Sequence, residues 1–134
     1  MSTRLVLTAS AIVLGLAGLA ATFAPDEILN ALHASGAALP LLIQLLGALY
    51  VGFAMLNWTA QDSLIGGIYN RPLAIGNLVH FIVGALALVK GVMAGQRDVI
   101  IIAATVIYAM FALAFARIFF TSPVTDANLR APSA

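Results

Sequence analysis

Of the polar side chains that interrupt the long apolar runs of the sequence, four are best placed to do chemistry: Gln44, Asn57, Asn77 and His80. His80 is the strongest candidate, because an ionisable side chain inside an apolar segment points to function. An imidazole there can ligate haem or a related pigment, relay protons or donate a hydrogen bond to a quinone. It can equally be a neutral histidine that joins two helices through a hydrogen bond. Asn77, one helical turn earlier, shares its face.

Other reactive groups are scarce in this sequence. A haem held by two histidines of one chain would need His33, the only other histidine, and we expect it to lie on the other side of a membrane from the start of the segment that holds His80. There is no cysteine, which excludes thiolate chemistry and cysteine metal sites. No carboxylate falls in the middle of an apolar segment, and we find no metal-ligand cluster, Ser–His–Asp set or phosphate loop. We therefore expect no enzymatic activity and no metal.

The composition indicates what kind of scaffold holds these side chains. Of 134 residues, 63% are hydrophobic and only 8% are charged, and the mean hydropathy is +1.08. Soluble domains carry about 25% charged residues, so this chain cannot cover an ordinary water-exposed surface. Its net charge of +1, without clustered Lys or Arg, also excludes nucleic acid as a partner. The composition therefore predicts a membrane protein.

Four apolar segments are long enough to cross a bilayer, which takes about 20 residues of helix. Since backbone groups in lipid must be hydrogen-bonded internally, each segment should be a helix. The predicted fold class is all-α, an integral membrane four-helix bundle that forms one domain over residues 1–120. The predicted spans are residues 5–24, 38–57, 73–93 and 99–120.

The segments between and after the spans carry local signals. Pro25-Asp26-Glu27 favours the start of a short helix over 25–34, lying in the membrane interface and ending at Ser35-Gly36. The 59–72 loop is the most polar connection, with a break at Gly66-Gly67. Residues 121–134 should form a flexible tail. The first span also has the pattern of a signal peptide, but its length favours a retained helix.

Small residues recur at helical spacing on every span, where they let helix backbones approach closely. The residues predicted to pack helices together in this way are Gly15, Gly18, Gly47, Gly84, Gly91, Ala112 and Ala116. The alternative is that polar members of the same faces line a cavity or path. The sequence does not separate these two interpretations, because both use the same residues.

Basic residues predict the orientation in the membrane. The N-terminus, the 59–72 loop and the C-terminus carry more Lys and Arg than the two remaining connections, which favours both termini in the cytoplasm. Lys90 and Arg117 lie near helix ends, where their long side chains can extend to the headgroups.

Two short stretches give the sequence a family resemblance. Phe23-Ala24-Pro25-Asp26 closes the first span, and the glycine-containing run from Leu46 to Gly52 lies in the second. Together with four spans in a chain of this length, they resemble small DoxX-like bacterial inner-membrane proteins. The resemblance implies a bacterial inner-membrane location and, in some relatives, a link to quinone or respiratory-chain functions. It assigns no ligand site to particular residues here.

Three functions follow as hypotheses. The first is a non-catalytic accessory or assembly subunit of a larger membrane complex, such as a respiratory or photosynthetic one, with lipid and a membrane protein or a second copy as partners. The second is a small oligomeric transporter or channel, with a polar path near Gln44, Asn77 and His80, to which Asn57 would contribute. The third is a redox subunit that binds haem, pigment or quinone through His80.

Overall fold

The computed structural model describes residues 3–62 and 71–120, and these residues form five α-helices and no strand. The predicted all-α class is therefore confirmed for the described part of the chain. Four of the helices are long and apolar enough to cross a membrane, as predicted. The helices are α1 (Thr3–Phe23), α2 (Pro25–Ala31), α3 (Leu39–Ala60), α4 (Arg71–Met93) and α5 (Val99–Phe120).

The helix bounds differ from the predicted spans mainly at polar ends. Helix α3 continues three residues past the predicted end at Asn57. The hydroxyl of Thr59 donates to the carbonyl oxygen of Met55 at 2.9 Å, so this polar residue is accommodated within the helix. The predicted break at Gly66-Gly67 and the tail 121–134 lie outside the described residues.

Proline separates α1 from α2. Pro25 has no N–H with which to continue the hydrogen bonds of α1, and it occupies the first turn of α2, where none is needed. Ala24, between the two helices, leaves helical geometry with φ −132° and ψ 49°. On α2, Asp26 and Glu27 are exposed while Pro25 and Leu29 are buried, so this short helix is amphipathic.

The end of α2 differs from the prediction. The helix ends at Ala31, three residues before the predicted bound and ahead of Ser35-Gly36. His33 takes a left-handed conformation with φ 52°, and the N–H of Ala34 then donates to the carbonyl oxygen of Leu29 at 2.9 Å. This bond closes the helix in the way that a glycine usually does. A histidine in that role gives no recognisable sequence signal.

Helix α4 ends at Met93, and a glycine in the left-handed conformation follows two residues later. Gly95 has φ 101°, which an L side chain rarely adopts, and the N–H of Gln96 bonds to the carbonyl oxygen of Gly91 at 3.1 Å. The connection to α5 therefore turns at Gly95, between the predicted spans 73–93 and 99–120.

The chain divides into two compact units. One comprises Met1–Gln61 with Arg97–Ile100, and so holds α1, α2 and α3. The other comprises Asp62–Gln96 with Ile101–Ala134, and holds α4 and nearly all of α5.

In the first unit, α1 and α3 run antiparallel and in close contact. At one end of the pair, Ser10 of α1 meets Asn57 of α3, and at the other end Gly18 meets Gly47. The short α2 contacts both long helices. In the second unit, α4 and α5 are joined by aromatic side chains around Phe81, which is fully buried.

Candidate functional site

His80 lies on α4 opposite Tyr108 of α5, and the two side chains form the candidate site of the second unit. The Nε2 atom of His80 is 3.3 Å from the phenolic oxygen of Tyr108. Their rings are 5.5 Å apart between centroids and tilted by 48°. Both side chains are half-buried. The pair therefore combines an imidazole and a phenol that can exchange the roles of donor and acceptor.

Aromatic side chains fix the positions of this pair. The ring of Phe81 lies edge-on to both His80 and Tyr108, with centroids 5.1 and 5.2 Å away. Phe81 also stacks on Phe111, with centroids 4.9 Å apart, and on Phe115, with centroids 5.6 Å apart. Such pairs contribute roughly 0.5–1.5 kcal/mol each beyond the area they bury. The cluster thus holds the two hydrogen-bonding rings in a defined orientation.

Gly84 makes room for Tyr108. A Cβ atom at Gly84 would overlap Cε1 and Cδ1 of the tyrosine ring. Any side chain at this position would therefore displace Tyr108 from His80. Gly84 was predicted as a packing residue, and the structure places it at the contact between α4 and α5.

Asn77 is fully buried one turn before His80. Its Nδ2 atom donates to the carbonyl oxygen of Leu73 at 3.0 Å, within its own helix. That Asn77 acts together with His80 in one site stays a prediction.

Gln44 and Asn57 belong to the first unit. Asn57 is fully buried, and its Nδ2 atom donates to the hydroxyl oxygen of Ser10 at 2.9 Å. Gln44 is exposed, and its Nε2 atom is 3.5 Å from the carbonyl oxygen of Thr22. The four predicted site residues are thus divided equally between the two units, and a polar path that joins them stays a prediction.

The partners of these polar groups were not predicted from the sequence. Thr8 and Ser10 of the first span were not among the predicted site residues, yet Thr8 donates to Oε1 of Gln61 at 2.6 Å. Tyr108 was not among the predicted site residues either. It is the one tyrosine of α5, which was a usable signal, but its pairing with His80 depends on how α4 and α5 are aligned.

The small residues predicted to pack helices fall at several contacts. A Cβ atom at Gly18 would lie 2.9 Å from the carbonyl oxygen of Gly47, and one at Gly15 would lie 3.6 Å from Cβ of Ala54. Gly91 faces the side-chain oxygen of Gln96 in the turn after α4. On α5, Ala112 is buried and Ala116 half-buried.

Among the described residues, the other charged side chains and the other histidine lie at helix ends or in connections. His33 is exposed after α2, and Lys90 and Arg117 are exposed in the last turns of α4 and α5. Within residues 3–62 and 71–120, no group of three or more His, Asp or Glu side chains is placed to hold a metal ion.

The sequence matches no protein-family model, no curated protein and no solved structure. The resemblance to DoxX-like proteins therefore stays a prediction, and the functional argument depends on the geometry of this chain.

Proposed function

We propose that this chain is an integral membrane protein of the bacterial inner membrane, with α1, α3, α4 and α5 crossing the bilayer as a bundle and both termini in the cytoplasm. Support comes from the length and composition of these helices and from the position of the charged groups. In the described residues, the long helices carry charges only near their ends. Helix α2, with its acidic face exposed, would lie at the membrane surface.

Within the membrane, the protein acts as a non-catalytic accessory or assembly subunit of a larger complex. One observation carries this proposal: large apolar side chains are exposed along every long helix. Leu16 of α1, Leu45 of α3, Leu86 of α4 and Leu113 of α5 are between 59% and 74% exposed. A chain with so little polar surface can bind partners mainly inside the bilayer. Its apolar faces suit lipid and other membrane helices.

Membrane insertion and partner binding are tested in two steps. Alkaline carbonate should leave the tagged protein in the membrane pellet, whereas a peripheral protein would be released. Mild detergent extraction from the native membrane should then recover the protein with another membrane protein in a fixed ratio. Recovery of the protein alone, under conditions that preserve known complexes of the same membrane, would contradict the accessory role.

The His80–Tyr108 pair favours a second function, a redox or pigment-associated subunit. A phenol and an imidazole held by an aromatic cluster suit a ligand that forms hydrogen bonds. They suit direct haem ligation less well, because Nε2, one of the two ring nitrogens that can bind iron, is 3.3 Å from the tyrosine oxygen. Haem or pigment binding at this atom would require Tyr108 to move.

Absorbance spectra test whether the protein binds haem or a pigment. Protein extracted from its own membrane should show the band of a bound chromophore, and both His80→Ala and Tyr108→Phe should weaken it. The matched control is His33→Ala, since that histidine is exposed in a connection. A colourless wild-type protein would contradict haem or pigment binding.

A further inference from the structure

The side chain of Gln44 is exposed on α3, inside an apolar segment. Gln44 follows the start of α3 at Leu39 by five residues, about 7.5 Å along the helix axis. Leu41 and Leu42, which lie between Gln44 and that end of the helix, are 59% and 56% exposed. In the proposed membrane-spanning arrangement, lipid chains would therefore surround a carboxamide. They offer it neither a donor nor an acceptor.

Little of the hydrogen-bonding capacity of this carboxamide is used within the chain. Its Nε2 atom lies 3.5 Å from the carbonyl oxygen of Thr22, which exceeds the usual range of about 2.7–3.2 Å. Within residues 3–62 and 71–120, Oε1 of Gln44 accepts no hydrogen bond. Since a carboxamide has two N–H donors and one acceptor oxygen, the side chain can still both donate to a neighbour and accept from it.

Ala48 and Gly52 continue the face of α3 that holds Gln44, at intervals of four residues. Both are exposed, and a Cβ atom at Gly52 would meet no heavy atom within 4 Å. This face differs from the one that holds Gly47, which packs on α1. The backbone of a further helix can therefore come close to Gln44, as helix backbones do in membranes where the residues between them are small.

We propose that this face of α3, defined by Gln44, Ala48 and Gly52, binds the same face of a second copy of the chain. Copies inserted in the same orientation place Gln44 at the same depth, so the two side chains can meet across a two-fold axis. Each carboxamide then donates to the other and accepts from it. A lipid chain cannot do this, and a different protein would need a matching polar group at this depth.

This inference rests on the proposed membrane insertion and specifies one contact within the proposed complex. Two paired copies in a particle that also contains a different membrane protein agree with both proposals. Paired copies without another protein would contradict the accessory role alone. A complex that holds a single copy of the chain would contradict the pair alone.

Single cysteines test the contact in native membranes, since the chain has no cysteine of its own. Treated with copper phenanthroline, Ala48→Cys should form a disulfide-linked dimer of the 13.9 kDa chain. The matched control is Leu46→Cys, because Leu46 is also exposed but lies two residues away, on nearly the opposite face of the helix. Equal dimer yields from the two variants, or no dimer from Ala48→Cys, would overturn the proposal.

Gln44→Leu tests the hydrogen bonds between the copies. Energy transfer between copies labelled at Ser35→Cys, in liposomes at several protein-to-lipid ratios, measures the dissociation constant of the dimer. Gln44→Leu should raise this constant by about 5-fold to 30-fold, the effect of such bonds between model membrane helices. Circular dichroism should show the same helix content, because Gln44 is exposed.

Two results of the liposome measurement would overturn the pair. One is an unchanged dissociation constant in Gln44→Leu. The other is a wild-type protein that stays monomeric in liposomes while the native complex retains it, which would assign this face of α3 to a different protein.

Discussion

Asn57 shows, at the residue scale, how this protein accommodates a polar group within an apolar helix. Its amide is fully buried and donates to the fully buried hydroxyl of Ser10. An unsatisfied amide in an apolar medium would cost several kcal/mol, so the pair specifies how α1 and α3 align. Thr8 of α1 and Gln61, the residue that follows α3, form a second polar contact at the same end of this helix pair.

We expect Ser10→Ala to destabilise the protein by about 1–3 kcal/mol, the cost of removing the acceptor of a buried donor, here the Nδ2 group of Asn57. The measurement is unfolding in mixed micelles followed by the fluorescence of Trp58. Thr59→Ala is the control, because the hydroxyl of Thr59 is exposed and bonds within its own helix. Equal effects of the two substitutions would contradict a role for the Ser10–Asn57 bond.

At the element scale, the close approach of α1 and α3 depends on the absence of a side chain at Gly47. A Cβ atom there would lie 2.6 Å from Oγ1 of Thr22 and 2.8 Å from the carbonyl oxygen of Gly18. Such distances are shorter than atoms tolerate, so one helix would have to move. Gly52, on the same helix, is exposed and has open space where a Cβ would be.

Gly47→Ala should therefore destabilise the α1–α3 pair by about 1–3 kcal/mol, the usual cost of overpacking. Gly52→Ala should leave stability unchanged or raise it by up to about 1 kcal/mol, because alanine favours a helix over glycine. Thermal unfolding in detergent, followed by circular dichroism, compares the two. If both variants were equally stable, the contact at Gly47 would not be as close as described.

The helices were predictable from the sequence, whereas several of their ends and contacts were not. A run of about 20 apolar residues in lipid must satisfy its backbone hydrogen bonds internally, which a helix does. The four long helices were therefore predictable from the apolar runs. The end of α2 depends on the left-handed conformation of His33. This conformation is uncommon for histidine, so the residue type did not predict it. The His80–Tyr108 contact depends on the alignment of α4 with α5, which neither helix encodes by itself.

At the scale of the whole molecule, the chain exposes apolar side chains on all four long helices and carries few charges. The proposed topology places both termini on the cytoplasmic side, with the connection containing α2 on the other side. This follows from the distribution of Lys and Arg, which are retained on the cytoplasmic side of bacterial membranes.

Cysteine labelling tests this topology, since the chain has no cysteine of its own. A single cysteine at Ser35, which is exposed in the connection after α2, should react with a membrane-impermeant maleimide added to whole cells whose outer membrane has been permeabilised. A cysteine at Ser2 should react only after the inner membrane is opened. The reverse pattern would show that the orientation is wrong.

The most direct test of the accessory role is the mass of the intact assembly released from the native membrane. Native mass spectrometry should show the 13.9 kDa chain within a larger particle that contains a different membrane protein in fixed stoichiometry. Collisional activation in the mass spectrometer should release the intact chain from that particle. A particle made only of this chain, as a monomer or homo-oligomer, would contradict the account and favour transport by an oligomer instead.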